Sequence, residues 1–262
     1  MNLGRASVVV RQRSLLEVVD LAFRFVFGLA PGLYARLSAA VLLPCLAICA
    51  LLRHFYAWDW FEIWVLAAAF GTVAQGVFTL TAGQLMFSEE VSARVLLRTF
   101  ARRLPRYLSA LLVTRTAIAL GSLLVLLAPV AWVAAAFVHE AVLLEASGSG
   151  IEAFRRSSRF VRHHGRATFE LIVVLVALTA VCIGVFELIG NSIVQFVLQL
   201  GTPFGALDDG GSLYALIGYF ASIPVCATVR FLAYIDARTR RDGWDVQVQF
   251  MAIVAEAEER VA

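Results

Sequence analysis

The chain alternates between long apolar runs and short segments crowded with arginine, and that alternation limits it to one kind of fold. Runs of about twenty residues with almost no charge have the length of a membrane-spanning helix. They lie at about 33–52, 62–87, 107–127, 167–188 and 213–235, with a shorter one at 130–144. The segments between them take turns in charge. With six spans and both ends on one side, 19 of the 22 basic residues, every one an arginine, fall on that side. Five precede or open the first span (Arg5, Arg11, Arg13, Arg24, Arg36), five lie in 94–106, five in 155–166 and four after 235. Arg53 alone falls on the opposite side, and Arg115 and Arg230 lie within spans. Basic loops stay cytoplasmic in membrane proteins, so the predicted topology is six crossings with both termini in the cytoplasm. Five crossings, or the inverted orientation, would place whole basic segments outside.

Composition excludes a soluble globular domain, which is typically about half apolar and a quarter charged; here 61% of residues are hydrophobic and 16% charged. Cys45, Cys49, Cys182 and Cys226 all fall within predicted spans, so no disulfide framework is expected. The N-terminal stretch carries Arg5, Arg11, Arg13, Glu17, Asp20 and Arg24 before the first long apolar run, which does not fit a cleavable signal peptide.

The arginine-rich segments have a pattern of their own. Read as a helix, 151–166 gathers Ile151, Phe154, Ser158 and Val161 on one face, with Ala153, Ser157 and Phe160 beside them. Arg155, Arg156, Arg159 and Arg162 take the remaining circumference. Such a helix lies in a membrane interface, its apolar side in the acyl boundary and its guanidinium groups at anionic phosphates. Residues 88–106 repeat the pattern: Val91, Val95, Leu96 and Phe100 are apolar, Arg94, Arg98, Arg102, Arg103 and Arg106 are basic, and Pro105 is expected to break the helix. A less basic version opens at Ser14 and Glu17, spaced as a capping box, and continues through Leu15, Val18, Val19, Ala22 and Phe25 to Pro31.

Segments 14–52, 88–127 and 150–188 thus share one plan: polar cap, amphipathic helix, Pro or Gly break, span. The expected fold is all-α. It is a polytopic membrane bundle of six transmembrane helices in three parallel hairpin repeats, each preceded by an amphipathic interfacial helix, with 236–262 as a cytoplasmic tail. Parallel repeats weigh against an alternating-access transporter built from inverted ones. Tyr56, Trp58, Trp60 and Trp64 mark one interface as an aromatic belt. Ala68, Thr72, Gly76, Thr79 and Gly83 form a small-residue face that lets helices approach closely.

Ionisable groups within a bilayer are costly and are functional candidates. Arg115, Glu140, Glu170 and Arg230 fall at similar depth in the cytoplasmic half, which suggests Arg115–Glu140 and Glu170–Arg230 pairs or one shared cluster. Such a cluster could be an ion-pair staple, a polar cavity for a headgroup or small solute, or, with His139 beside Glu140, a proton relay. Glu187 is expected near the outer end of its span, in reach of water, and His163 and His164 in a basic loop. No metal-ligand spacing, nucleophile elbow, phosphate-binding glycine loop or Ser/His/Asp arrangement is present. No catalytic residue, metal or cofactor is therefore assigned. Arginines spread over membrane-proximal segments, without aromatic platforms, also weigh against nucleic acid as a partner.

Three stretches carry a resemblance. Ser14-Leu-Leu-Glu-Val-Val-Asp-Leu-Ala-Phe-Arg-Phe, then Glu145 with Glu152-Ala-Phe-Arg-Arg-Ser-Ser-Arg-Phe-Val-Arg, then Tyr234-Ile-Asp-Ala-Arg-Thr-Arg-Arg-Asp-Gly-Trp-Asp follow each other in order. They resemble the bacterial membrane proteins known as glycerophosphoryl diester phosphodiesterase membrane domain-like. In the last stretch Asp236, Arg238, Arg240, Gly243 and Asp245 match the C-terminal signature. The resemblance implies a six-span bacterial inner-membrane protein without the phosphodiesterase domain that names the group, and it adds no catalytic residue. Asp236, Arg238, Arg240 and Asp245 are expected to form a polar knot under the inner face. The expected function is a non-enzymatic membrane or complex-forming component whose basic helices bind anionic lipid, with other membrane proteins as further partners. The alternative is a small transporter or lipid-handling protein with a polar cavity in the cytoplasmic half.

Overall fold

A chain this apolar can satisfy its backbone inside a bilayer by helix formation, since each helical N–H and C=O pairs within its own segment. The computed structural model describes residues 13–88, 91–123, 128–144, 150–162, 165–200 and 210–242, and among these every regular element is helical. In chain order they are α1 (Leu15–Phe23), a π-helical turn (Arg24–Leu29), α2 (Pro31–Phe55), α3 (Trp60–Phe87), α4 (Ala93–Leu123), α5 (Ala128–Ala135), α6 (Val138–Leu143), α7 (Gly150–Val161), α8 (Gly165–Ser192), a second π-helical turn (Ile193–Val197) and α9 (Leu213–Asp242). His163, His164, Glu145, Gly243, Asp245 and the segment 243–262 lie outside the described residues.

Four helices are long and apolar enough to cross a membrane: Pro31–Phe55, Trp60–Met86, Gly165–Val197 and Leu213–Thr239. Their packing sorts them into a centre and a rim. The most apolar stretch of α9 is 83% buried and that of α3 is 56% buried, whereas the corresponding stretch of α8 has no buried residue. Large apolar side chains are exposed along the length of α8, among them Val173, Val176, Val181 and Leu188, a pattern that marks a surface for something other than water. Lipid is the solvent that suits it.

Local chemistry sets the helix ends. Ser14 and Glu17 form the capping box read from the sequence: the Glu17 amide donates to Ser14 Oγ at 3.3 Å and the Ser14 amide to Glu17 Oε2 at 3.3 Å. Pro31 opens α2 at its first position, where its missing N–H costs nothing. At the other end of the bundle, Arg53 lies over the Trp60 ring at 5.2 Å and the Trp64 indole donates to the Gly210 carbonyl at 3.0 Å. The α2–α3 connection and the start of α9 therefore share one face. Glu187 accepts from the Ala215 amide at 3.1 Å and from the Ser212 hydroxyl. It is half-buried and caps the N-terminus of α9, where a carboxylate meets the positive end of the helix dipole. The sequence reading left it to water.

The opposite face gathers α1, α7 and the end of α9. The Arg13 amide donates to Asp236 Oδ1 at 2.7 Å, and Phe137, Phe160 and Tyr234 meet ring to ring at 5.3–5.7 Å. The Ser157 hydroxyl of α7 donates to the Ala134 carbonyl at 2.7 Å and accepts from the Phe137 amide at 3.2 Å, satisfying both sides of the break between α5 and α6. A Cβ on Gly150 would stand 2.8 Å from the Cα of Ala110, so α7 meets α4 at a point that only glycine allows.

Three sequence expectations change here. Pro105 does not end the second basic segment; α4 runs 31 residues through it as one helix. Both Pro105 and Ala101, whose carbonyl the ring frees, are exposed, so solvent or headgroups can take the lost hydrogen bond. The span at 130–144 is two short helices rather than one. The helix expected to end at 235 continues to Asp242, through the first residues of the expected cytoplasmic tail. The apolar half of α7 is also divided: Gly150, Ala153, Ser157 and Val161 are buried against protein, while Ile151 is exposed beside the arginines.

Candidate functional site

The polar cluster is built on α3. Thr72, Gln75 and Thr79 fall on one stripe of that helix because they are three and four residues apart. Arg230 of α9 reaches Gln75 and Thr79. Its Nε donates to Glu140 Oε1 at 2.8 Å, its Nη1 to Gln75 Oε1 at 2.6 Å and its Nη2 to Thr79 Oγ1 at 3.4 Å. Glu140 comes from α6 and is wholly buried; its second oxygen, Oε2, has no hydrogen-bond partner among the described residues. The pair is therefore Glu140–Arg230, neither of the two pairings anticipated.

Arg115 joins the cluster from α4. Its Nη2 donates to Thr72 Oγ1 at 2.6 Å, and Thr72 in turn donates to the Ala68 carbonyl at 2.7 Å. Between the two arginines stands Tyr107, fully buried, with its hydroxyl 2.9 Å from the Thr72 carbonyl and 2.5 Å from His139 Nδ1. Among the described residues no carboxylate lies within salt-bridge distance of Arg115, which is exposed on α4. Glu170 is elsewhere: it pairs with Arg166 one turn earlier on α8, at 2.9 Å, on the surface. The reason is helical phase. Leu171, Ile172 and Leu175 of α8 face α4 and α5, and Glu170 points toward α1 and α9 beside Asp236.

Arg115, Arg230, His139 and Gln75 open into a lateral cleft of about 180 Å³ between α4, α5 and α8. Its walls are apolar: Leu111, Ile118, Leu171, Ile172, Leu175 and Val176. A cation at membrane depth costs roughly 2.5–3.5 kcal/mol even on the mildest scale. Arg230 offsets that cost with three acceptors, one of them charged. Arg115 has one neutral acceptor.

The arginines expected to contact lipid are placed differently. Arg94, Arg98 and Arg102 on α4, Arg155, Arg156 and Arg159 on α7, and Arg162 are all exposed. Glu152 lies 3.5 Å from Arg156. Among the described residues Arg155 and Arg159 of α7 and Arg162, just past its end, have no carboxylate partner, and with Ile151, Phe154 and Ser158 they line an open groove along α7. Of the expected C-terminal knot, Asp236 holds the Arg13 amide, and Arg238 Nη1 donates to the Tyr234 hydroxyl one turn earlier at 3.3 Å. Arg240 lies in the last turns of α9. In the sequence reading Thr72 and Thr79 belonged to a small-residue packing face, and neither Tyr107 nor Gln75 was given a part in the charge cluster. The usable signal was the threonine–glutamine–threonine stripe in an otherwise apolar span.

Fold and cluster together define an all-helical protein with four helices fit to cross a membrane and a buried ion pair at its centre. No family model, no curated protein and no solved structure matches the chain.

Proposed function

We propose that the protein is a non-enzymatic integral protein of a bacterial inner membrane, with both termini cytoplasmic, that grips anionic lipid through its basic helices and serves as a membrane or complex-forming component. One observation carries the reading. α7 docks on the bundle through its small residues and turns Arg155, Arg159 and Arg162, free of carboxylate partners among the described residues, outward beside exposed Ile151. An apolar tip flanked by guanidinium groups suits a headgroup boundary.

The topology is supported by parity. The part of α4 from Tyr107 to Leu123 is about 25 Å long at 1.5 Å per residue, against a hydrocarbon core of about 30 Å. It forms a hairpin with α5 and α6. Whether that hairpin crosses or re-enters, it adds an even number of passages to the four long helices, so the basic segments and both termini stay on one side. Six spans and three repeats follow if it crosses. The motif residues from Ser14, Glu152 and Tyr234 onward support membership of the phosphodiesterase membrane domain-like group.

The test is lipid selectivity in the reconstituted protein. Each arginine near an anionic surface contributes about 1 kcal/mol, so Arg155→Gln, Arg159→Gln and Arg162→Gln together should lower the preference for phosphatidylglycerol over phosphatidylcholine roughly a hundredfold. Unchanged selectivity by native mass spectrometry would refute the reading. A second reading, a lipid-handling protein, is favoured by the cleft at Arg115.

A further inference from the structure

We infer that the cleft between α4, α5 and α8 is a binding site for a single-chain anionic amphiphile, its oxyacid head on Arg115 and its chain between α4 and α8. The inference rests on the lipid-handling reading and on α4 lying within the bilayer beyond Tyr107.

Charge comes first. The cluster holds two guanidinium groups and one carboxylate, and Glu140 is engaged by Arg230. The excess positive charge therefore sits on Arg115. Its one hydrogen bond, to Thr72, leaves the rest of the guanidinium fork without a partner among the described residues, and the side chain lines the cleft. A planar fork of this kind matches a carboxylate or phosphate through two parallel hydrogen bonds.

Depth excludes an ordinary headgroup contact. Arg115 lies nine residues beyond Arg106 on one unbroken helix, about 13 Å along its axis. The bilayer midplane is itself about 15 Å from the boundary. With α4 in the bilayer, an anion that meets Arg115, exposed at the rim of the cleft, sits below the phosphates of the surrounding leaflet.

Size and wall chemistry select the ligand class. The cleft measures about 180 Å³, comparable with a dry cavity of about 150 Å³ that accepts benzene. It takes an oxyacid head and the first few methylenes, with the rest of a single chain running out between α4 and α8; the glycerol branch of a glycerophospholipid would add bulk beside Arg115 that this volume does not offer. Ile118, Leu171, Leu175 and Val176 supply apolar walls, and Val176 is more than half exposed, so the cleft opens sideways toward lipid. A chain entering from the side would stay in hydrocarbon along its whole length.

The experiment uses the full chain in phosphatidylcholine nanodiscs with tritiated palmitate as probe. Saturable binding of one palmitate per chain is expected, competed by dodecyl phosphate but not by dodecyltrimethylammonium or inorganic phosphate. Arg115→Gln should weaken it at least tenfold with elution profile and thermal midpoint preserved. Val176→Trp, a change at an exposed rim position, should block the entrance with Arg115 intact and keeps the test valid if Arg115→Gln does not fold. Equal binding by wild type and both variants would overturn the inference, as would competition by inorganic phosphate as strong as that by dodecyl phosphate. A photo-crosslinker at Leu112, an exposed position on α4, separates the two failures. If it captures no acyl chain, α4 is outside the bilayer and both readings fall. If it captures lipid while binding ignores Arg115, the amphiphile site alone falls.

Discussion

Neutralising Glu140 should destabilise the bundle far more than removing the whole ion pair. The carboxylate is completely buried, 2.8 Å from Arg230 Nε, and supplies the one negative charge facing that guanidinium. Removing one partner of a buried pair costs about 3–5 kcal/mol, because the other charge stays behind. Gln75 and Thr79 keep two of the Arg230 donors satisfied, which puts Glu140→Gln near the lower end, about 3 kcal/mol. At roughly 2–4 °C per kcal/mol for a chain of this size, the midpoint should fall by about 6–12 °C. Arg230→Met should fall comparably, since it leaves a wholly buried carboxylate without its cation. The double change Glu140→Leu with Arg230→Met leaves no unpaired charge and should return to within about 2 kcal/mol of the parent. The assay is the temperature at which half the detergent-solubilised protein leaves the monodisperse peak on size exclusion. If the double variant falls by the sum of the singles, the two side chains act independently and the coupling inferred from the geometry is wrong.

Other outcomes follow from single contacts. Ser157→Ala removes the bridge between the Ala134 carbonyl and the Phe137 amide; it should cost about 1–3 kcal/mol and lower the same midpoint, while Ser158→Ala, on the outer side, should not. Gly218→Leu would put a side chain 2.6 Å from the Cys182 carbonyl and 2.8 Å from the Ile183 Cα; α8 should separate from α9, seen as protease cleavage in the 200–212 connection. Ser212→Ala with Glu187→Ala removes both acceptors of the Ala215 amide, Ser212 Oγ at 2.9 Å and Glu187 Oε2 at 3.1 Å, and should cost about 1 kcal/mol, with faster hydrogen exchange confined to the first turn of α9. The loss of anionic-lipid selectivity in the α7 arginine variants should shrink in high salt, because exposed charges are screened.

The helical class, the positions of four spans and the Ser14–Glu17 cap were legible in the sequence, because each depends on local composition or on residues within one turn. Membership of Arg115, Glu140 and Arg230 in one polar region was also legible, since charge in an apolar run stands out. Which partner each takes was not. Span boundaries set depth to within a turn, but pairing depends on helix rotation, and a fraction of a turn put Glu170 on the face of α8 toward α1 and α9 rather than toward Arg115. Proline misled in the opposite direction: at position 105 the chain had exposed surface on which to lose a hydrogen bond, which no local pattern states. The small residues of α3 were read as a seam for another backbone. Instead Gly76 lies under the Phe100 and Tyr107 rings, where an added Cβ would stand 2.7–2.8 Å away.

The unbroken course of α4 has a mechanical consequence. Its arginine-bearing part and its Arg115 part belong to one helix about 46 Å long, continuous across Pro105, where the ring removes one backbone hydrogen bond. A rotation of about 5° about Tyr107 would carry the far end sideways by roughly 2 Å, at 1.5 Å of rise per residue. If α4 tilts as one helix, the lipid grip proposed for Arg94, Arg98 and Arg102 and the width of the gap beside α8 would be linked.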